Sequence, residues 1–222
     1  MGIDRELAIE VPSIGRVSGI LSQPDNSIGL FVLGHGSGSN MRVPFMSGLA
    51  SALGDQGVAT LRFEYPYSDK PDFIPYSDMP TDSDEVLIAT VRAALSCAAK
   101  EYPGVPLFVG GHSVSALMTS IADAEDSLSA KAIISLSFPR KGDPARSAHI
   151  DSATLPILFI QGTEDSLGTE AEINDIAATL GERANVRWIE GASHGFSVEE
   201  REQDDVIQEI AVHIYDYIGS MC

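Results

Sequence analysis

Cysteines, basic residues and long apolar runs are all scarce in this chain of 222 residues. Its two cysteines are Cys97, inside a helical pattern, and Cys222, the last residue. A structural disulfide tethering the very end would be unusual, so the pair suits a reducing, cytoplasmic setting. Fourteen Lys and Arg stand against 32 Asp and Glu, a net charge of −18. A surface of that sign repels phosphate backbones and anionic lipid, which argues against nucleic-acid or membrane-surface partners. The acids are spread along the chain rather than gathered into a tail. No run of about 18 uncharged apolar residues occurs, so no membrane span is expected. The opening "MGIDRELAIE" has acids where a signal peptide needs a basic stretch and an apolar block.

What the chain does have is alternation. The apolar fraction is 44%, enough for a large core. "RELAIEVP" and "GRVSGILSQP" read as an N-terminal pair of strands. "GLFVLGHGSGS" is a buried strand opening into a Gly/Ser loop. "PFMSGLASALGDQG" carries Phe45, Met46, Leu49, Ala50 and Leu53 on a helical stripe. "VATLRFEYP" is the next strand, followed by a Pro-rich, aromatic loop over 67–81. Helical patterns over 82–100, 114–126, 169–180 and 199–218 then alternate with "VPLFVGG", "AKAIISLSFP", "LPILFIQGTED" and "ANVRWIEGASHG". Short apolar strands, each followed by a helix, predict an α/β fold. Its mostly parallel central β-sheet is flanked by helices on both faces. No linker or repeat divides the chain, so residues 1–222 are expected to form a single domain. The segment between "SLSFP" and "LPILFI" is too short for a sizeable cap.

In such a sheet the reactive groups collect where strands end at their carboxyl termini. Four strand ends supply a set: Ser113 in "FVGGHSVS", Asp165 in "FIQGTED", His194 in "EGASHGF", and the Gly-rich loop of "LGHGSGS". The order Ser, Asp, His is that of the nucleophile-elbow hydrolases. A serine hydroxyl needs an imidazole to take its proton as it attacks a carbonyl. The imidazole needs a carboxylate to hold its tautomer. The oxyanion needs two N–H donors, for which Val114, at the start of a helix, and Ser37, after His35-Gly36, are the candidates. Each residue alone also suits a plainer role: Asp165 as a helix N-cap, His194 as a surface-turn histidine, His35 as a buttress of the Gly loop. Glu164 is the runner-up carboxylate.

Secondary features carry alternatives too. Arg62 and Glu64 flank Phe63 on a strand and suggest an internal ion pair. Tyr65, Tyr67, Phe73 and Tyr76 either wall an apolar pocket or pack their loop onto the body. Arg140, Lys141, Arg146 and His149 form a basic patch, read as a solvated loop ahead of an anion-attracting one.

These blocks resemble the α/β-hydrolase superfamily, with dienelactone-hydrolase-like proteins as near cousins. "LGHGSGSNMRVPFM", "ATLRFEYPY", "GGHSVSA", "LPILFIQGTEDSLG" and "GASHGF" are similar to a small cap-less group of bacterial hydrolase-like proteins. That group is related to a subunit of the nonspecific-lethal histone-acetyltransferase complex. The resemblance runs from about Gly29 to the final helix. It implies Ser113 as nucleophile, Asp165 as acid, His194 as base, oxyanion donors near Ser37 and Val114, and no metal or organic cofactor. The implied activity is a serine hydrolase acting on small carboxylic esters or thioesters through an acyl-enzyme, with a small-molecule acyl substrate as partner. Oligomeric state is left open. Dienelactone hydrolases proper use a cysteine nucleophile, so Ser113 argues against that substrate. Ser115 stands where the family has glycine. The histone-acetyltransferase relative implies an alternative, a catalytically idle scaffold of the same fold that binds a protein partner.

Overall fold

The computed structural model describes residues 3–77 and 82–222; positions 78–81 of the Pro-rich loop lie outside the described residues. The apolar runs form β1 (Ile3–Val11), β2 (Gly15–Gln23), β3 (Gly29–Gly34), β4 (Val58–Phe63), β5 (Leu107–His112), β6 (Ala132–Leu136), β7 (Ile157–Gly162) and β8 (Ala184–Ile189). They make one sheet in the order β1-β2-β4-β3-β5-β6-β7-β8. From β4 to β8 every pair is parallel, while β1 pairs antiparallel with β2 and β2 antiparallel with β4. The fold is α/β, with a mostly parallel sheet.

The helices are α1 (Pro44–Asp55), α2 (Asp84–Glu101), α3 (Val114–Glu125), α4 (Glu170–Leu180) and α5 (Gln203–Gly219). Pro44 opens α1, where its missing N–H costs nothing. Thr169 opens α4, its N–H and hydroxyl both donating to Glu172 at 2.9 Å. Helix α5 begins later than its apolar periodicity suggests, because Glu200 takes a left-handed φ of 63° that a helix cannot accommodate. A 3-10 helix at Pro144–Ser152 occupies the connection from β6 to β7, and no cap domain is inserted there.

Side chains alternate across the sheet and build two cores. Val32, Leu61, Val109, Ile133 and Phe159 pack against α2, α3 and α4. Phe31, Leu33, Phe108, Ile134, Leu158 and Ile160 pack against α1 and α5. Strands β3, β4, β6 and β7 are buried from end to end, which is why they read as largely apolar runs, with Thr60, Arg62, Ser135 and Gln161 as the buried polar exceptions.

Arg62 and Glu64 do not form the expected pair. Strand β4 ends at Phe63, so the alternation that would align them stops before Glu64. Arg62 instead donates to the Met41 carbonyl and the Ser47 hydroxyl, with Asp4 at 3.6 Å. Glu64 turns inward to accept from the Met41 N–H and the Ser68 hydroxyl. The aromatic loop divides: Tyr65 and Tyr67 are buried, Phe73 packs on Tyr67 at 5.8 Å, and Tyr76 stays exposed. The basic patch is more engaged than a solvated loop. Arg140 pairs with Asp175 at 2.8 Å, Arg146 donates to the Pro139 carbonyl, and His149 meets the buried Ser120 hydroxyl at 2.7 Å. Lys141 is exposed.

Candidate active site

The chain runs from β3 outward to β4, then returns to place β5 on the other side of β3. The two strands stay paired, but the connections leaving their carboxyl ends run to opposite sides, the switch point where open α/β sheets hold their ligands. Ser113 lies there, between β5 and α3, with φ 54° and ψ −110°. A serine held in that conformation stores about 1–3 kcal/mol of strain, which the surrounding bonds must hold in place. Its N–H donates to the Leu136 carbonyl at 2.8 Å. Gly111 must be glycine: its φ is 142°, and a Cβ there would lie 2.1 Å from the Gly34 carbonyl oxygen.

Ser113, His194 and Asp165 form one hydrogen-bonded chain. His194 Nε2 is 2.8 Å from Ser113 Oγ, and Nδ1 is 2.8 Å from Asp165 Oδ2. The carboxylate can only accept, so Nδ1 carries the proton and Nε2 presents its lone pair to the serine hydroxyl. Asp165 is buried and Glu164 exposed. The N-cap alternative for Asp165 is displaced: Thr169 precedes α4, while Asp165 Oδ1 closes a local turn by accepting from Leu167 N–H at 2.8 Å. The His194 side chain keeps 22% of its surface exposed, so the chain of bonds is open on one side. Two cavities, of about 480 and 420 Å³, lie elsewhere, and neither is lined by these three residues.

Ser37 follows Gly36 in the loop after β3, and Val114 follows Ser113 at the start of α3. A methyl group at Gly36 would lie 2.7 Å from His112 Nδ1 and 3.5 Å from Ser113 Cβ, so the loop after β3 packs directly on the serine. Among the described residues, neither Ser37 N–H nor Val114 N–H donates to a protein acceptor. Val114 N–H opens α3, where the helix dipole adds partial positive charge.

Ser115 occupies its site by a compensation on the facing strand. A Cβ at Gly34 would lie 2.3 Å from Ser115 Oγ, so the space the serine fills is space that Gly34 leaves. Its hydroxyl donates to the His35 carbonyl at 2.6 Å and accepts from Tyr65 O–H at 2.8 Å. Burial pushes the Tyr65 phenol well above its ordinary range, which keeps it a donor. His35 is a buttress, fully buried, touching Gly36 O, Ser68 Oγ and Glu64.

Two supports were missed in the sequence. Gln161, buried in β7, donates to Asp165 Oδ2 at 2.7 Å and accepts from Phe138 N–H at 2.7 Å. An amide inside an otherwise apolar strand was the available signal. His112 Nε2 is 2.8 Å from the His194 carbonyl oxygen, an acceptor only, so this nitrogen carries the proton. Burial lowers the His112 pKa to about 4, so the ring is neutral near pH 7. Among the described residues, no three His, Cys, Asp or Glu side chains are grouped to hold a metal ion. No helix among them is long and apolar enough to cross a membrane.

The comparisons with known proteins agree with this architecture. A dienelactone hydrolase from Anabaena variabilis superposes with a TM-score of 0.81 at 20% identity, covering 99% of this chain and 98% of that one. A serine hydrolase without a lid from Xanthomonas campestris gives 0.73 at 20% identity, over 96% and 94%. Est1E from Butyrivibrio proteoclasticus, solved with ferulic acid bound, gives 0.73 at 19% identity, over 96% and 99%. Residues 27–219 match the alpha/beta hydrolase domain family, and the chain belongs to that family.

Proposed function

We propose that the protein is a serine hydrolase that cleaves small carboxylic esters or thioesters through an acyl-enzyme. The observation that carries this reading is the unbroken chain from Ser113 Oγ through His194 to Asp165, with both links at 2.8 Å. Ser113 Oγ attacks the acyl carbon and passes its proton to His194 Nε2, while the carbonyl electron pair moves onto oxygen. The N–H groups of Ser37 and Val114 receive that oxyanion. Collapse expels the alcohol or thiol, which takes the proton from His194. A water molecule then gives its proton to His194 and attacks the acyl carbon, and the acid leaves as Ser113 regains its hydrogen. Asp165 holds His194 in the required tautomer throughout.

The open side of His194 and the connection without a cap support short, unencumbered acyl groups. Both cysteines are free, which supports a compartment that keeps thiols reduced, and we read residues 1–222 as one domain. The test is a chain-length panel of activated esters and thioesters with wild type and Ser113→Ala. Wild type should turn over the short acyl members, and the variant should lose at least about 10³-fold in kcat. Equal rates in the two proteins would remove Ser113 from the mechanism, and no turnover by wild type would leave the idle, partner-binding scaffold as the better reading.

A further inference from the structure

Three bonds that anchor the loop after β3 converge on one atom. The Gly36 carbonyl oxygen accepts from Tyr67 O–H at 3.0 Å, from His35 Nδ1 at 2.9 Å and from Ser39 N–H at 3.2 Å. That oxygen can only accept, so His35 Nδ1 carries a proton. Tyr67 is buried beside Tyr65, Glu64 and Asp82, and burial with those neighbours raises its phenol far above its usual range. It therefore remains a donor throughout any working pH.

A trans peptide points its C=O and N–H in opposite directions, and no cis bond occurs among the described residues. Pinning the Gly36 oxygen on the protein side thus fixes where the Ser37 N–H points: away from Tyr67, with no protein acceptor of its own. The preceding peptide is fixed in the same way, because Ser115 Oγ donates to the His35 carbonyl. The Met41 N–H at the far end of the loop is held by Glu64.

We infer that Tyr67 and His35 are positioning residues of the hydrolytic centre, aiming the Ser37 N–H at the oxyanion through the shared Gly36 peptide. This rests on the hydrolase reading above. The donor is worth most when it is in place before the charge develops, because none of its alignment is then spent during the reaction. Neither side chain needs to touch substrate for this.

Tyr67→Phe removes one hydroxyl and leaves the ring packing. It should lower kcat about tenfold with KM nearly unchanged, since ground-state binding does not use the oxyanion donor. The inhibition constant of a short alkyl trifluoromethyl ketone, whose adduct carries an oxyanion, should rise by a similar factor. Tyr102→Phe, which loses a hydroxyl bond to Ser27 away from the site, should leave kcat, KM and inhibition as in wild type. His35→Asn keeps a donor near the Nδ1 position and His35→Gln does not, so the asparagine variant should retain more kcat, a comparison that stands even if Tyr67→Phe does not fold. If kcat and inhibitor affinity stay at wild-type level in Tyr67→Phe, or fall equally in Tyr102→Phe, or if the two His35 variants behave alike, the positioning role is wrong and the hydrolase reading stands. If wild type hydrolyses nothing in the ester panel, both fall together.

Discussion

The two halves of the site are supported in opposite ways. On the β3 side, the loop carrying Ser37, the proposed oxyanion donor, is locked by a fully internal polar network of His35, Glu64, Tyr65, Tyr67, Ser68 and Ser115, all at 5% exposure or less. On the β7 and β8 side, Asp165 is buried and bracketed by Gln161 and Leu167 N–H, but His194 keeps an open face and is held by single bonds to Asp165, Ser113 and His112. The difference suits the proposed chemistry. An oxyanion donor works by not moving, so it gains from over-determination. A general base has to exchange protons with serine, leaving group and water in turn, so it needs one fixed tautomer and an accessible face.

The comparison can be broken most severely on the acid–base side. Asp165→Asn keeps the shape but offers an N–H where His194 needs an acceptor, which favours the wrong tautomer. It should reduce kcat by roughly 10⁴-fold without unfolding, as steady-state kinetics and circular dichroism will show. On the oxyanion side the matching change is steric. Gly34→Ala drives a methyl into Ser115 Oγ and Phe63, displacing the loop, with kcat expected to fall about 100-fold. Ser115→Gly in the same chain should restore part of that loss, because the Ser115 contact disappears while the Phe63 contact remains. No restoration would mean that the two sites do not share the space described above.

The smallest effect is on pH-dependent stability. His112 and His149 both have pKa values lowered to about 4 by burial. Below their unfolded value near 6.5 the unfolded chain binds protons that the folded one refuses. Their contribution is therefore fully present above about pH 6.5 and is lost as pH falls toward 4. Thermal melts should show a Tm decline through that window, and His149→Phe should flatten it. His149 bonds Ser120 and none of Ser113, His194 and Asp165, so this variant also separates global acid sensitivity from effects on the site.

Much of this was legible because strand ends are local features. Ser113 and Asp165 each follow an apolar run that reads as a buried strand, His194 follows the mixed, half-exposed β8, and the parallel topology brings these ends together. Their supports were harder to read, because each depends on sheet order or register. Tyr65 reaches Ser115 because β4 and β5 both flank β3, a neighbourhood that spacing along the chain does not reveal. His112 finds the His194 carbonyl across 82 positions. Ser115 stands where the family has glycine, and the compensation for it, Gly34, is on another strand and cannot be read from the motif. The Arg62–Glu64 pairing failed for a local reason: strand alternation was extended one residue past the end of β4.

The most direct measurement of the central claim is active-site labelling. A fluorophosphonate phosphonylates a serine only where a neighbouring base activates it and donors receive the phosphoryl oxygen. Wild-type protein should gain one adduct, which peptide mass spectrometry assigns to Ser113, and His194→Ala should label far more slowly. Folded wild type that takes up no label, or labels as fast without His194, would contradict the account.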